Sequence, residues 1–221
     1  MKTFLITLAA GMFFTAFAEV KCQMLLPEKE QKRILSWRWY PYSSKLRLSA
    51  AAARDGYAAL DKNDLDTAMR EFNRAWRFNQ KNIDAYWGAA IVMGLQSENN
   101  RTDAEAKKLI GNSLRLLKIA EKYLSGNVIE KENWQFDYAA SLYTAGKIYL
   151  ATDRTAAEKY FLDAEKLWLP LSQKRDMKKK RDFQVYYRAC WHLTQLYRDW
   201  GKQELYEKYL NILPAELQKK L

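Results

Sequence analysis

One spacing of small and aromatic residues recurs in this chain and limits how its helices can pack. The spacing runs from a small residue to alanine, an aromatic residue and a second alanine, and it occurs at Gly56, Ala68, Phe72 and Ala75 and again at Ala145, Ala157, Phe161 and Ala164. Small residues let two helices approach closely, and an aromatic ring fills the space beside them. A second copy at identical intervals therefore predicts a repeated helical hairpin rather than one isolated pair.

Composition and breakers predict that the whole chain is helical. Only 8 glycines and 4 prolines occur in 221 residues, and no segment alternates polar and apolar residues with period two. Turn residues cluster between helix-period segments, at 61–64, 79–82, 96–103, 125–127, 151–155, 169–182, 199–203 and 213–216. We therefore expect an all-α fold of antiparallel helix pairs, with N-caps at Asp64, Asp103 and Asp153.

The repeated unit resembles the tetratricopeptide repeat, a helix-turn-helix of roughly 34 residues with small, Ala, aromatic and Ala positions at these offsets. Aligned on them, the repeats cover about 49–82, a stretch beginning near 83, about 138–171, and 187–214. The resemblance implies a right-handed α-solenoid of about four repeats, and we assign it residues 46–221. The first helix of each repeat is then expected to line a concave groove.

In that family the groove binds extended peptides or partner helices, so the resemblance implies a protein partner and no catalysis. Counting family groove positions from each repeat start predicts the partner-binding residues Tyr57, Asp84, Trp87, Ile91, Leu142, Tyr149, Arg188, Trp191, Gln195 and Arg198. They form an aromatic surface with cations towards its C-terminal end.

The N-terminus has the pattern of a secretory signal peptide. Lys2 precedes an apolar run over 4–17, and Ala16 and Ala18 provide small residues at the cleavage site. We expect a signal peptide over 1–18, with cleavage after Ala18, and a periplasmic or secreted protein without a transmembrane segment after cleavage. An uncleaved N-terminal anchor is the alternative.

Residues 19–45 precede the repeats and contain WRWYPYSSK, from Trp37 to Lys45, in which aromatics and cations surround a proline. Two roles are open for this segment. It can fold back over the exposed core of the first repeat, since terminal repeats need a cover. It can also provide an aromatic anchor for a partner or a membrane interface.

Charge favours contact with anionic surfaces. With 37 Lys and Arg against 26 Asp and Glu, the formal charge is +11. A basic patch interrupts the repeats at Lys174, Arg175, Lys178, Lys179, Lys180 and Arg181. It is either a solvated loop or a contact for acidic surfaces. Nucleic acid is not an expected partner, because the chain carries an export signal.

Catalytic and metal-binding patterns are missing from the sequence. His192 is the only histidine, and Cys190 lies two positions away, which on a helix points the two side chains apart. Metal-ligand spacing and glycine-rich phosphate loops do not occur, so we expect no enzyme, no metal and no cofactor. Export would permit a disulfide between Cys22 and Cys190, and the sequence leaves that bond open.

These features together predict an exported, non-catalytic scaffold that binds another protein during bacterial envelope assembly or maintenance. The alternative is a basic peripheral protein that binds anionic lipid or cell-wall polymer.

Overall fold

The computed structural model describes residues 21–34, 41–99, 102–174, 182–219 and 221, and regular structure in these ranges is helical, without a strand. A 3₁₀ turn at Gln23–Leu25 precedes the helices α1 (Glu28–Ile34), α2 (Tyr42–Asp61), α3 (Leu65–Phe78), α4 (Ile83–Glu98), α5 (Asp103–Glu121), α6 (Val128–Tyr149), α7 (Arg154–Lys174), α8 (Asp182–Asp199), α9 (Gln203–Ile212) and α10 (Ala215–Gln218). The predicted all-α class is confirmed.

The helices pack as consecutive hairpins. Hairpin 1 is α2 with α3, hairpin 2 is α4 with α5, hairpin 3 is α6 with α7, and hairpin 4 is α8 with α9. The second helix of each hairpin also packs against the first helix of the next. The predicted array of helical hairpins is therefore confirmed.

In hairpin 1, glycines on two helices make room for one aromatic ring. Phe72 of α3 is fully buried, and a Cβ added to Gly56 of α2 would lie 2.7 Å from its Cε1 atom. A Cβ on Gly88 of α4 would come closer still to the same ring. The spacing found in the sequence thus fixes how closely α2, α3 and α4 approach, because only glycine leaves space for the ring at both contacts.

Hairpin 3 repeats the motif with a shifted contact. Phe161 is fully buried, as are Ala157 and Ala164, but the glycine that faces its ring is Gly146, one residue after the Ala145 of the sequence match. One residue corresponds to a rotation of about 100° on an α-helix. The face that α6 turns towards α4 and α8 therefore differs from the one obtained by counting.

Two of the three predicted N-caps are confirmed. The Asp64 carboxylate accepts from the Thr67 backbone N–H at 3.0 Å, and that of Asp153 accepts from Ala156 at 2.9 Å. Prediction of a third cap at Asp103 was wrong, because Thr102 is the N-cap of α5 and Asp103 begins the helix. The Thr102 hydroxyl accepts the N–H bond there.

The N-terminal segment packs against hairpin 1. Asn73 of α3 is buried, and its side chain accepts from the Gln23 backbone N–H at 2.7 Å and donates to the Lys21 carbonyl at 2.9 Å. Met24 is also buried. Residues just after the predicted cleavage site therefore cover the first hairpin.

Part of the WRWYPYSSK stretch lies outside the described residues, namely 37–40. The remainder enters α2, which begins at Tyr42, four positions before the residue at which we placed the start of the repeat domain. The Tyr42 side chain is 76% exposed, so this aromatic does not cover the core.

Buried apolar side chains form two clusters that meet at α6. One combines the N-terminal segment with hairpins 1 and 2 and includes Trp134 from the start of α6. The other begins at Ala139 and combines hairpins 3 and 4. Tyr138 packs against both clusters, so α6 links the two halves of the core.

Candidate partner-binding groove

The first helices of successive hairpins contact one another, α2 with α4, α4 with α6 and α6 with α8, and they form a continuous face. Between α4, α6 and α8 this face contains a cleft of about 310 Å³, which we call the inner cleft. Its lining residues are Ile91, Gly94, Leu95, Glu98, Asp137, Ala140, Ser141, Tyr143, Thr144, Lys147 and Arg188. Ile91 and Arg188 are among the predicted groove residues.

A charged hydrogen-bond network connects α4 to α6 inside the inner cleft. Glu98 accepts from the Lys147 ammonium and from the Thr144 hydroxyl, both at 2.8 Å. Burial opposes ionisation of Glu98, but these two bonds and the Lys147 charge together hold its pKa below the ordinary value. Glu98 is therefore a carboxylate at neutral pH.

The N-terminal end of the groove combines aromatic rings with carboxylates. The Trp87 indole N–H donates to Asp137 Oδ2 at 2.7 Å, which connects α4 to α6. The Tyr57 hydroxyl donates to Asp84, which connects α2 to α4. Burial raises the pKa of Tyr57, and the negative charges of Asp84 and Asp137 raise it further. We call Tyr57, Asp84, Trp87 and Asp137 the acidic end.

Asp84 lies in a partly desolvated and negative environment. Burial raises the pKa of its carboxyl, the charge of Glu130 adds to that rise, and the bond from Tyr57 opposes it. A cation brought to this position would offset the repulsion between the carboxylates of Asp84 and Glu130.

The C-terminal end of the groove is basic and more exposed. Arg188 reaches the inner cleft, while a smaller cleft of about 170 Å³ is lined by Leu150, Arg154, His192, Gln195, Leu196, Arg198 and Asp199. Asp199 forms ion pairs with Arg154 at 3.5 Å and with Arg198 at 3.9 Å, which offset part of this positive charge. The guanidinium of Arg198 donates to the backbone carbonyl of the C-terminal residue at 2.6 Å. We call Arg188 and Arg198 the basic end.

Trp191, a predicted groove residue, is half-buried against the core of hairpins 3 and 4 and lines neither the inner cleft nor the smaller cleft. Its ring lies edge-on to His192, with centroids 5.0 Å apart, and its indole N–H is buried without a partner in the described part of the chain. A buried donor without an acceptor costs about 1–3 kcal/mol, so this indole opposes the stability that the packing of its ring provides.

His192 is a packing residue in this arrangement. Its ring stacks on Phe161 at 5.1 Å with 7° between the planes. Burial, with a smaller effect from the Lys147 charge, lowers the His192 pKa to about 4. The imidazole is therefore neutral at pH 7, and it contacts aromatic rings rather than a nucleophile.

Two residues that the repeat count predicted for the groove, Leu142 and Tyr149, lie elsewhere. Tyr149 packs against Tyr160 of α7 at 5.3 Å, and the ammonium of Lys107 from α5 lies 4.9 Å from its ring centroid. Leu142 belongs to the core and is only 5% exposed. The cause is the rotated face of α6, since its contact with Phe161 is made at Gly146.

Counting groove positions from the repeat starts also missed Asp137, Thr144 and Lys147, three polar side chains of α6 that line the inner cleft. A signal for them is present in the sequence. Asp137, Ser141 and Thr144 recur at intervals of four and three in an otherwise apolar stretch, which indicates a polar helix face.

The two cysteines are free and buried, and they belong to different hydrophobic clusters. Burial raises the pKa of Cys22 to about 11 and that of Cys190 to about 12. The arrangement favours two inert thiols over a disulfide between these positions.

Most of the predicted basic patch lies outside the part of the chain that the structure describes. Arg175, Lys178, Lys179, Lys180 and Arg181 lie outside the described residues, and Lys174 is the last residue of α7. Among the residues described, side chains do not group into a potential metal site, and no helix is long and apolar enough to cross a membrane.

No protein-family model and no curated protein matches the chain. One solved structure with some similarity is that of PilF from Pseudomonas aeruginosa, at 12% sequence identity, covering 80% of this chain and 97% of that one, with a TM-score of 0.28. Similarity at that level carries no argument about fold or function, so both rest on the helices and side chains described above.

Proposed function

We propose that this chain is an exported, non-catalytic scaffold of the bacterial envelope that binds a peptide or helix of another protein along the face formed by α2, α4, α6 and α8. The observation that carries the proposal is the inner cleft, which is open between three first helices and is lined by the carboxylates Glu98 and Asp137 and the cations Lys147 and Arg188. Tyrosine, tryptophan and arginine are enriched in binding hot spots, and here the aromatic residues lie at the acidic end and the arginines at the basic end.

The charge distribution indicates how a partner would be oriented. Asp84 and Asp137 favour a lysine or arginine of the partner at the acidic end, where Tyr57 and Trp87 provide aromatic contacts. Arg188 favours a carboxylate at the other end of the inner cleft, because an exposed guanidinium can donate two parallel hydrogen bonds to one carboxylate. Complementary charge of this kind contributes to specificity and to the association rate.

Site-specific photo-crosslinking in the native envelope tests the proposal. A photoreactive amino acid at Ser141 lies in the inner cleft, and the matched control places it at the exposed Lys108 on α5. We expect a discrete crosslinked partner from the first position and none of that partner from the second. The same product from both positions would contradict a groove site.

Affinity measurements with the crosslinked partner then separate binding from folding. We expect Arg188→Ala to weaken binding by about 1–2 kcal/mol without changing the melting temperature, since its side chain is exposed. Arg54→Ala is the matched control, because Arg54 is exposed on α2 and lines none of the clefts described. Normal binding by a folded Arg188→Ala variant would argue against the inner cleft.

Export and the membrane alternative need a separate measurement. Intact mass of the protein from the envelope should show Glu19 as the first residue. Neutralising Lys178, Lys179, Lys180 and Arg181 should leave partner binding unchanged if the groove is the site. Loss of envelope association in that variant, mimicked by high salt, would favour the peripheral protein instead.

A further inference from the structure

A third cleft lies between α5 and α7, away from the groove of the first helices. Its volume is about 500 Å³, and we call it the α5–α7 cleft. Its lining residues are Gly111, Leu114, Arg115, Lys118, Ile119, Lys122, Tyr138, Leu142, Lys159, Tyr160 and Asp163. It shares no lining residue with the inner cleft, so the two can be occupied independently.

Four cations surround the α5–α7 cleft. Arg115 and Lys118 of α5 and Lys122, the C-cap of that helix, follow one another at intervals of three and four, which places them on one side of it, while Lys159 comes from α7. All four are exposed, and within the described residues none forms an ion pair with a carboxylate.

Carboxylates near this cleft do not balance that charge. Asp163 is the one acidic residue among the described lining residues. Glu121 also lies near the cleft: burial raises the pKa of Tyr138 most, and the charges of Glu121 and Asp163 raise it further. Four cations therefore face two carboxylates. The excess positive charge favours an anionic ligand.

Apolar and aromatic side chains form the floor of the cleft. Tyr138 stacks on Trp134 at 5.1 Å, and Tyr160 lies beside Tyr149 at 5.3 Å, so both rings are held by neighbours. Leu114 and Ile119 are half-buried beside them. Rigid rings below a cationic rim suit a ligand that combines negative charge with an apolar group.

We propose that the α5–α7 cleft binds an acidic peptide segment of a partner protein, with its carboxylates on Arg115, Lys118, Lys122 and Lys159 and an apolar side chain on the tyrosine floor. The concave shape favours a peptide over a membrane. A flat bilayer surface would contact the rim cations only, whereas an inserted peptide side chain reaches the floor between the two helices.

Binding of defined peptides to the full chain tests this site by fluorescence anisotropy. The probe is a fluorescein-labelled, glycine-spaced peptide with several glutamates and one phenylalanine. We expect the double variant Lys118→Glu/Lys122→Glu to bind it about tenfold more weakly, because two attractive charges become repulsive. The matched control, Lys62→Glu/Lys81→Glu, has the same net charge but changes exposed residues on turns outside the cleft, and should bind within about twofold of the original chain.

Two changes in the peptide examine the ligand chemistry. Replacing glutamates by glutamines should abolish measurable binding, and replacing phenylalanine by glycine should weaken it about fivefold, since the floor would lose an apolar contact. Circular dichroism of each variant would show whether the helices are retained.

Several results would overturn the proposal. Equal weakening by the control pair would show that net charge alone attracts the peptide. Absence of binding by the original chain would remove the site. Displacement of the peptide by phosphatidylglycerol vesicles, with the same dependence on Lys118 and Lys122, would assign the cleft to an anionic lipid surface.

Discussion

Hairpins 1 and 3 carry the same motif but use it differently. In hairpin 1 the ring of Phe72 is held between two glycines, Gly56 of its own hairpin and Gly88 of the next. In hairpin 3 the ring of Phe161 meets Gly146 on one side and the imidazole of His192 on the other. The aromatic ring at this position therefore contacts two glycines and the edge-on ring of Tyr57 in one half of the molecule, and one glycine and a stacked imidazole in the other.

Gly88 and His192 are corresponding residues, each the sixth position counted from the repeat starts at 83 and 187. A glycine there brings the next hairpin close to the aromatic ring, and a histidine fills the space with its own ring. One residue at the junction thus sets how adjacent hairpins pack, while the motif within each hairpin is unchanged. The hairpins share a motif but differ in how they are coupled.

Removing the central ring from each hairpin has the largest expected effect. Phe72→Ala and Phe161→Ala should each lower the free energy of unfolding by about 3–5 kcal/mol. The loss should be larger for Phe72, because its two glycine contacts offer no side chain and only the ring of Tyr57 lies beside it among the described ring contacts, whereas both Tyr143 and His192 can relax towards position 161. Urea denaturation of both variants measures the difference, and a greater loss at Phe161 would contradict this account.

Adding one methyl group tests the close approach at the first junction. Gly88→Ala should destabilise the protein by about 1–3 kcal/mol, because its Cβ would overlap the Phe72 ring. Gly111→Ala on α5 is the matched control, since an added Cβ there meets no atom within 4 Å. That control should stabilise by about 0.5–1 kcal/mol through helix propensity. Thermal unfolding in which Gly88→Ala is as stable as the control would disprove the contact.

The second junction should make stability depend on pH through His192. Its folded-state pKa is lowered to about 4, against an ordinary value of 6.5, so the unfolded chain binds more protons between these values. Stability is therefore retained above pH 6.5 and falls as the pH drops towards 4, by on the order of 1–2 kcal/mol at pH 5.

His192→Phe removes this dependence and keeps an aromatic ring on Phe161. Because His192 is the only histidine, the comparison isolates its contribution from that of the carboxylates, which both proteins share. Urea denaturation at pH 7 and pH 5 gives the two slopes. Identical pH dependence in both proteins would show that the imidazole is not buried against Phe161.

The smallest expected effect concerns the cysteines, one in each half of the core. Cys22 and Cys190 are buried thiols in separate clusters, so both should react slowly with Ellman's reagent in the folded protein and rapidly in denaturant. Dithiothreitol should leave the melting temperature unchanged. A drop in melting temperature on reduction would indicate a disulfide that joins the two halves.

Local sequence patterns were sufficient for the all-α class and the hairpins. Low glycine and proline content, regular breakers and the spacing around Phe72 and Phe161 depend on contacts within or between neighbouring helices, and these follow helical periodicity. The same reasoning located Asp64 and Asp153 as caps, because a cap bonds to a backbone group three residues away.

The groove was only partly predictable. Counting from the repeat starts identified Ile91 and Arg188, which line the inner cleft, but it failed on α6, where the contact of Phe161 with Gly146 turns the helix by one residue. Whether Tyr149 or Thr144 faces the cleft depends on that rotation, and the offset match alone does not contain it.

The sequence by itself determined the helices, their pairing and the aromatic residue that fills hairpins 1 and 3, because those features depend on short intervals along the chain. Only the tertiary structure decided which charges meet. The bonds from Trp87 to Asp137 and from Lys147 to Glu98 join residues about fifty positions apart, and the α5–α7 cleft brings together cations from two hairpins. Such contacts depend on the angle and distance between hairpins, which packing across the whole array sets.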